Sequence, residues 1–337
     1  MGLVLKGVSV WSEILAEQSV PRVGAISSSA TLAEQVAPPQ NGDGGGDSAS
    51  LSPAAHAPVA PSSPSVPQDI LRAKENVVFL DLTAESAISL YVRTAGTGKA
   101  GKILFEKKSG EPFPIASLTK LMTALIAYEN YLPNSVVKIA LSISYEFGGP
   151  GALPLDAVFS VDELLHMMLI ESNNFAAYNL ADIMGRAKFI NLMNLKAENL
   201  GLRNTRFVNP AGLDPAVESD FNRSSARDLS KLAEYIHENE PQIFHMLTLP
   251  QYDVLDANGN FYATIKNTDK LLSDTTVPLK IIGGKTGTTD LAGQALLLIT
   301  ISPDNKGFLI NVILKSKNRF TDMKKLIEWG VASYTWN

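Results

Sequence analysis

Hydrophobic positions change their period twice along the chain. From about Glu75, short runs rich in Val, Ile, Leu and Phe, "NVVFLDL", "AISLYVRT" and "KILFEKK", are separated by "TAES" and "AGTGKAG", the pattern of an antiparallel meander. A helical period then takes over in "PIASLTKLMTALI", where Leu118, Leu121, Met122 and Leu125 share a face. It continues through "SVDELLHMMLIES", with Ser160 as N-cap and Glu163 three positions on, and then through "NNFAAYNLADIMG" and "AKFINLMNLKAENLG", which end at Gly185 and Gly201. "SSARDLSKLAEYIHENEP" is a further amphipathic helix, stopped before Pro241. Strands return in "LKIIGGKTG", "AGQALLLITIS" and "GFLINVILKS", the last two joined by "PDNK", and "TDMKKLIEWGVASY" predicts a closing helix. Strands at both ends with helices between them exclude a repeated βαβ winding. They predict an α+β fold: one antiparallel β-sheet built from both chain ends, flanked by helices, with a mid-chain, mainly helical lobe and a cleft between the two.

Composition divides the chain before that region. Residues 25–70 are dominated by Ala, Pro, Ser and Gly, as in "NGDGGGDSAS", with too few large apolar groups to offset the entropy of ordering, and read as a disordered linker. Residues 1–24 have no clear role: Lys6 and Glu13 interrupt the apolar run, so no export signal or membrane span is recognisable, although a linker before a folded domain suggests a tether at the amino end. Residues 71–337 are expected to form the folded domain. Of the 337 residues 45% are hydrophobic, enough for a real core, and none is cysteine, which excludes disulfides and a thiol nucleophile. A formal net charge of -5 and the lack of a basic, aromatic-interleaved cluster argue against nucleic-acid binding. The four histidines, His56, His166, His237 and His245, form no recognisable metal-ligand pattern, and neither metal nor cofactor is expected.

Candidate chemistry starts at the mouth of the first helix. Ser117 and Lys120 lie one turn apart on it, so their side chains can touch, and an uncharged lysine amine in a dry site can take the proton of a serine hydroxyl. The spacing is a common one. Ser135 and Lys138 repeat it in "PNSVVKIAL", but there Pro133, Asn134 and the β-branched residues predict a turn entering a strand, which sends the two side chains to opposite faces. What singles out Ser117 is its company: Ser172-Asn173-Asn174 at a helix junction and Lys285-Thr286-Gly287 on a glycine-flanked strand follow in that order. A second serine-x-asparagine triplet, Ser316-Lys317-Asn318, falls after the K-T-G strand.

The ordered trio S-x-x-K, S-x-N and K-T-G resembles that of penicillin-binding proteins and class A β-lactamases. With "NLGLRNTRFVNPAGLD", "SSARDLSKLA", "KNTDKLL" and "GGKTGTTDLAGQALL", the stretch from about Glu75 to Trp336 is similar to the low-molecular-mass D-alanyl-D-alanine carboxypeptidases, serine peptidase family S11, of the β-lactamase/transpeptidase-like superfamily. Members commonly carry glycine where Asn173 stands and aspartate where Phe175 stands. Many also continue into a β-rich domain and an amphipathic anchor.

The resemblance implies a D-Ala-D-Ala carboxypeptidase of the cell envelope, outside the cytoplasm, acting on peptidoglycan stem peptides and inhibited covalently by β-lactams. It implies Ser117 as nucleophile and Lys120 as base, with Lys285 as the second cation that lowers the proton affinity of Lys120 and holds Ser172 and the substrate carboxylate. Ser172 would relay a proton and Asn174 orient Lys120. Thr286 would bind the carboxylate, Gly287 would admit the acyl chain to the strand edge, and the backbone N–H groups of Ser117 and Thr288 would form the oxyanion hole. Arg319 is a further candidate for the carboxylate. Three alternatives remain open: a DD-endopeptidase of peptidoglycan crosslinks, which sequence does not separate; a serine β-lactamase, although no E-x-x-L-N loop is recognisable; and a non-catalytic wall-binding or penicillin-sensing module.

Overall fold

The computed structural model describes residues 71–94, 100–140, 152–215 and 220–336. The expectations for residues 1–24 and 25–70 lie outside the described residues. Everything described belongs to the unit Pro64–Asn337.

Its centre is a five-stranded antiparallel sheet of β1 (Ser86–Arg93), β2 (Ala100–Lys107), β3 (Ile281–Thr289), β4 (Gly293–Ile301) and β5 (Gly307–Ser316), in the order β3-β4-β5-β1-β2. Strand β1 pairs on one side with β2 (Ser89 opposite Phe105) and on the other with β5 from the far end of the chain (Ser89 opposite Asn311). The expected joining of both chain ends in one sheet is therefore what the chain adopts. The expected meander is corrected by one strand, because "NVVFLDL" is irregular and Val77, Val78 and Phe79 are exposed. Both flanks of β1 are already taken, and this segment crosses the last helix instead, where the Trp329 indole Nε1 donates to the Val78 carbonyl at 2.7 Å.

The helices are α1 (Lys120–Asn130), α2 (Val161–Ile170), α3 (Asn174–Asp182), α4 (Arg186–Asn199), α5 (Ala226–Asn239), α6 (Pro241–Met246) and α7 (Arg319–Ser333). Alternation along the strands sends Phe308, Ile310, Val312 and Leu314 of β5 into the core shared with α1 to α6, while Ile313 packs under Met323, Leu326 and Ile327 of α7. Helix α1 is buried around its whole circumference from Lys120 to Ala127, more than the single apolar face that its spacing predicts, because α2, α3, α4, α5 and α6 surround it. The expected cap of α2 is present, with the Glu163 N–H donating to the Ser160 hydroxyl at 3.1 Å. A hairpin of Gln251–Leu255 and Phe261–Lys266 adds a strand pair that the pattern analysis did not anticipate. Its signal is present in the alternation on either side of "DANGN", where Gly259 takes φ 83°.

Candidate active site

The chain enters α1 through a 3₁₀ turn, Ala116–Thr119, and Ser117 lies on that turn. Residues three apart eclipse one another in 3₁₀ geometry, which stacks Ser117 above Lys120 more directly than an α-helical start would. Lys120 Nζ lies 2.8 Å from Ser117 Oγ, 2.8 Å from Asn174 Oδ1 and 2.9 Å from the Ala211 carbonyl oxygen. An ammonium would donate to all three. A neutral amine has two protons and a lone pair, so the two fixed acceptors on Asn174 and Ala211 leave the lone pair aimed at the serine hydroxyl. Lys120 is fully buried, and burial first, then the charge of Lys285, holds its proton affinity well below the ordinary lysine range.

Ala211 owes its position to a polar scaffold. Asn209 Oδ1 accepts from the N–H groups of Ala211, Gly212 and Leu213, and Asn222 binds Thr119 Oγ1 through its amide nitrogen and the Val208 and Asn209 N–H groups through its oxygen. Gly212 takes φ +83°, and a Cβ there would sit 1.8 Å from the Ala116 carbonyl oxygen. Only glycine permits this loop to close on the 3₁₀ turn.

Ser172 stands at the expected junction, between the end of α2 and the start of α3, in a left-handed conformation with φ 66°. Asn173 clamps the turn: its Oδ1 caps α3 through the Ala176 N–H at 3.0 Å, and its amide donates to Glu171 at 2.7 Å. The residue after Ser172 thus differs from the family's usual glycine and still supports the turn. Lys285 Nζ, on β3, donates to Ser172 Oγ at 2.8 Å and to the Thr286 carbonyl at 3.2 Å. Burial, followed by the neighbouring Arg319 charge, lowers the Lys285 pKa to about 7, against an opposing pull from Asp269.

Among the described residues strand β3 is an edge of the sheet, with β4 alone beside it. At Gly287 a Cβ would lie 2.9 Å from the Ile115 carbonyl and 3.2 Å from Ser117 N, so the bare strand passes directly against the serine backbone. Thr286 is buried, and its hydroxyl pairs with that of Thr268 at 2.6 Å. Thr288 is exposed. Arg319, at the start of α7, donates to the Gly287 carbonyl at 2.6 Å and to Thr288 Oγ1.

All nine singled-out residues, Ser117, Lys120, Ser172, Asn174, Lys285, Thr286, Gly287, Thr288 and Arg319, are therefore brought together, through the Lys120 and Lys285 hydrogen bonds, the passage of Gly287 against the Ser117 turn and the Arg319 contacts with Gly287 and Thr288. The competing matches are accounted for elsewhere. Lys138 lies on a short strand with its amine 2.8 Å from Asp156, while Ser316 donates to Asp322 and Asn318 caps α7. Sequence reasoning assigned no role to Ala211, Thr268, Asp269 or Asn222. Ala211 acts through a backbone carbonyl and carries no side-chain signal; the others lie in "KNTDKLL" and beside "SSARDLSKLA", far in sequence from the groups they touch.

A serine hydroxyl against a buried lysine, faced by a second lysine through another serine, is an arrangement able to carry out acyl transfer with a lysine as base. The family model for Peptidase_S11, D-alanyl-D-alanine carboxypeptidase, matches residues 74–318, and the chain belongs to this family of penicillin-binding serine peptidases. It is 32% identical to the D-alanyl-D-alanine endopeptidase of Pseudomonas aeruginosa over 68% of this chain and 73% of that one. To the D-alanyl-D-alanine carboxypeptidase DacD of Escherichia coli it is 30% identical over 78% of this chain and 68% of that one. Among solved structures, penicillin-binding protein D2 of Listeria monocytogenes in its cefotaxime-bound form is similar, with TM-score 0.62, 28% identity, and 75% of this chain and 99% of that one covered. No helix among the described residues is long and apolar enough to cross a membrane.

Proposed function

We propose that this protein is a DD-peptidase of the cell envelope that removes the terminal D-alanine from peptidoglycan stem peptides through an ester on Ser117. The observation that carries the reading is the buried Lys120 amine, whose two fixed acceptors direct its lone pair to Ser117 Oγ. In the first half-reaction the Ser117 proton passes to Lys120 as Oγ attacks the penultimate carbonyl carbon. The N–H groups of Ser117 and Thr288 take the developing oxyanion, a role supported by the contact of the Gly287 backbone with the Ser117 turn. Collapse breaks the C–N bond. The leaving amine receives a proton by way of the Ser172 hydroxyl, which Lys285 holds at 2.8 Å. Water then attacks the ester and returns the proton to Ser117. Lys285, Thr286, Thr288 and Arg319 supply donors for the terminal carboxylate, and the peptide lies along the free edge of β3.

A DD-endopeptidase of crosslinks is a second reading, favoured because the Pseudomonas endopeptidase resembles this chain at least as closely as the Escherichia carboxypeptidase does. One experiment serves both. The purified protein is incubated with benzylpenicillin and followed by intact mass and peptide mapping, then with a pentapeptide and with a crosslinked peptide dimer. A persistent one-to-one adduct on Ser117 with release of D-alanine supports the carboxypeptidase, and cleavage of the dimer alone supports the endopeptidase. Drug hydrolysis without accumulated adduct indicates a β-lactamase. Absence of both reactions in a folded sample rejects an acyl-transfer role and leaves a binding module.

The pH profile is a further expectation. The acid side of kcat/KM should rise as Lys120 loses its proton, and the alkaline side should fall with a midpoint near 7 as Lys285 loses its charge and its hold on the carboxylate. The charge of Lys285 helps to lower the proton affinity of Lys120, so the two limbs are not independent. A profile flat from about pH 6 to 9 would contradict this assignment of charge states.

A further inference from the structure

Beneath β3 lies a buried carboxylate that none of the steps above employs. Asp269 follows Thr268 at the start of a 3₁₀ turn, Lys270–Ser273, and is 3% exposed. Its Oδ1 accepts from the Leu271 N–H at 3.0 Å, whereas Oδ2 is buried without a hydrogen-bond partner among the described residues. Oδ2 rests against the strand backbone at the residue preceding Lys285: a Cβ on Gly284 would stand 2.4 Å from it. The strand's alternation puts Gly284 and Thr286 on one face and Lys285 on the other, and the neighbouring Thr268 hydroxyl is bonded to Thr286. The carboxylate is thus pressed against the K-T-G strand from the side opposite the Lys285 ammonium.

Among the described residues the charged groups around it are few. Two positive charges act on it, that of Arg319 at the start of α7 and, across the strand, that of Lys285 on β3, and the Arg319 Nε is likewise buried without a hydrogen-bond partner among the described residues. On its own turn, Lys270 is exposed, and Asp274 is paired with Lys324 of α7. The site otherwise gathers the amine of Lys120 and the charges of Lys285 and Arg319, all desolvated, with Lys285 disfavouring a charge on Lys120 and Arg319 disfavouring the charge on Lys285. Burial raises the Asp269 carboxyl to about 6, with the Leu271 N–H, Arg319 and Lys285 pulling it back, so it is ionised at neutral pH and neutral in acid.

We propose that Asp269 is a positioning residue, the buried counter-charge that keeps Lys285 cationic and holds the Lys285 and Arg319 charges toward the substrate carboxylate. The proposal rests on the peptidase reading and deepens it. It also accounts for Gly284, since any side chain there would displace the carboxylate from the strand.

The test is the second-order rate of acylation by benzylpenicillin from about pH 5 to 9, normalised to the fraction of protein that forms adduct, for the wild type, Asp269→Asn and Asp269→Ser. Removing the counter-charge should move the descending limb about one pH unit toward acid and lower the rate near pH 8 about tenfold. Below about pH 5.5, where the wild-type carboxyl is also protonated, the profiles should converge. Profiles that run parallel, or that coincide throughout, would overturn the proposal, because a purely structural role lowers the rate without moving the limb. Failure of both variants to fold would assign Asp269 to the fold and overturn it as well. A wild type that forms no adduct refutes the peptidase reading itself, an outcome distinct from an adduct-forming wild type beside variants with unmoved limbs.

Discussion

Replacing Lys120 by arginine is expected to slow acylation by benzylpenicillin about a thousandfold near neutral pH, although the positive charge is retained. The guanidinium does not lose its proton in this range, so it has no lone pair to offer Ser117. Arginine would also have to fit a fully buried site whose acceptors, Asn174 Oδ1 and the Ala211 carbonyl, lie 2.8 and 2.9 Å from a compact amine. Lys120→Met, neutral and close in length, is expected to lose a comparable factor. The pair separates two roles for the lysine. Were Lys120 needed only as a positive charge beside the oxyanion, arginine would retain much of the rate and methionine would not; equal losses identify proton abstraction as the missing step. Stopped-flow or quenched mass measurements of adduct formation decide between them, with thermal unfolding confirming that each variant is folded.

The second large effect is expected at a residue with no side chain. Gly212→Ala should lower stability by about 3 kcal/mol, combining the cost of a left-handed alanine with overpacking. Its new methyl would meet the Ala116 carbonyl at 1.8 Å and Thr119 Oγ1 at 2.8 Å, both on the turn that carries Ser117. Neither can yield cheaply, because Thr119 is held by Asn222 and the loop by Asn209. The Ala211 carbonyl would move away from Lys120 Nζ, so acylation should fall even below the unfolding temperature. A thermal midpoint within a degree or two of wild type, with undiminished acylation, would show that the loop is free to shift and that Ala211 does not orient the lysine.

How much of this was legible beforehand depends on whether the signal is local. Helix α2 announces itself through Ser160 and Glu163, and β3 to β5 through apolar runs bounded by glycine and "PDNK", so their types and order follow from neighbouring residues alone. The segment "NVVFLDL" misled because strand composition does not tell whether a sheet edge is available, and β1 was already flanked on both sides. Similarly, Ser117 and Lys120 could be paired from helical spacing, but Asp269 could not be linked to Lys285: sixteen residues and a reversal of the chain separate them, and the contact passes through the bare backbone of Gly284. The resemblance to a family supplied the order of the motifs; it gave no geometry for residues outside them.

The placement of β1 between β2 and β5 bears on when the enzyme first becomes active during synthesis. Strand β1 leaves the ribosome long before one of its two neighbours, Gly307–Ser316, and before Arg319 and Asp322, the latter anchoring the backbone of Thr83 and Ala84. Such long-range closure makes folding slow and late relative to chain growth. A nascent chain that has reached α1 holds Ser117 and Lys120 three positions apart but lacks the strand, the second lysine and the arginine that join them in the site. Reactivity toward penicillin should therefore arise only with the finished fold, so the molecule is silent wherever it has not yet closed its sheet.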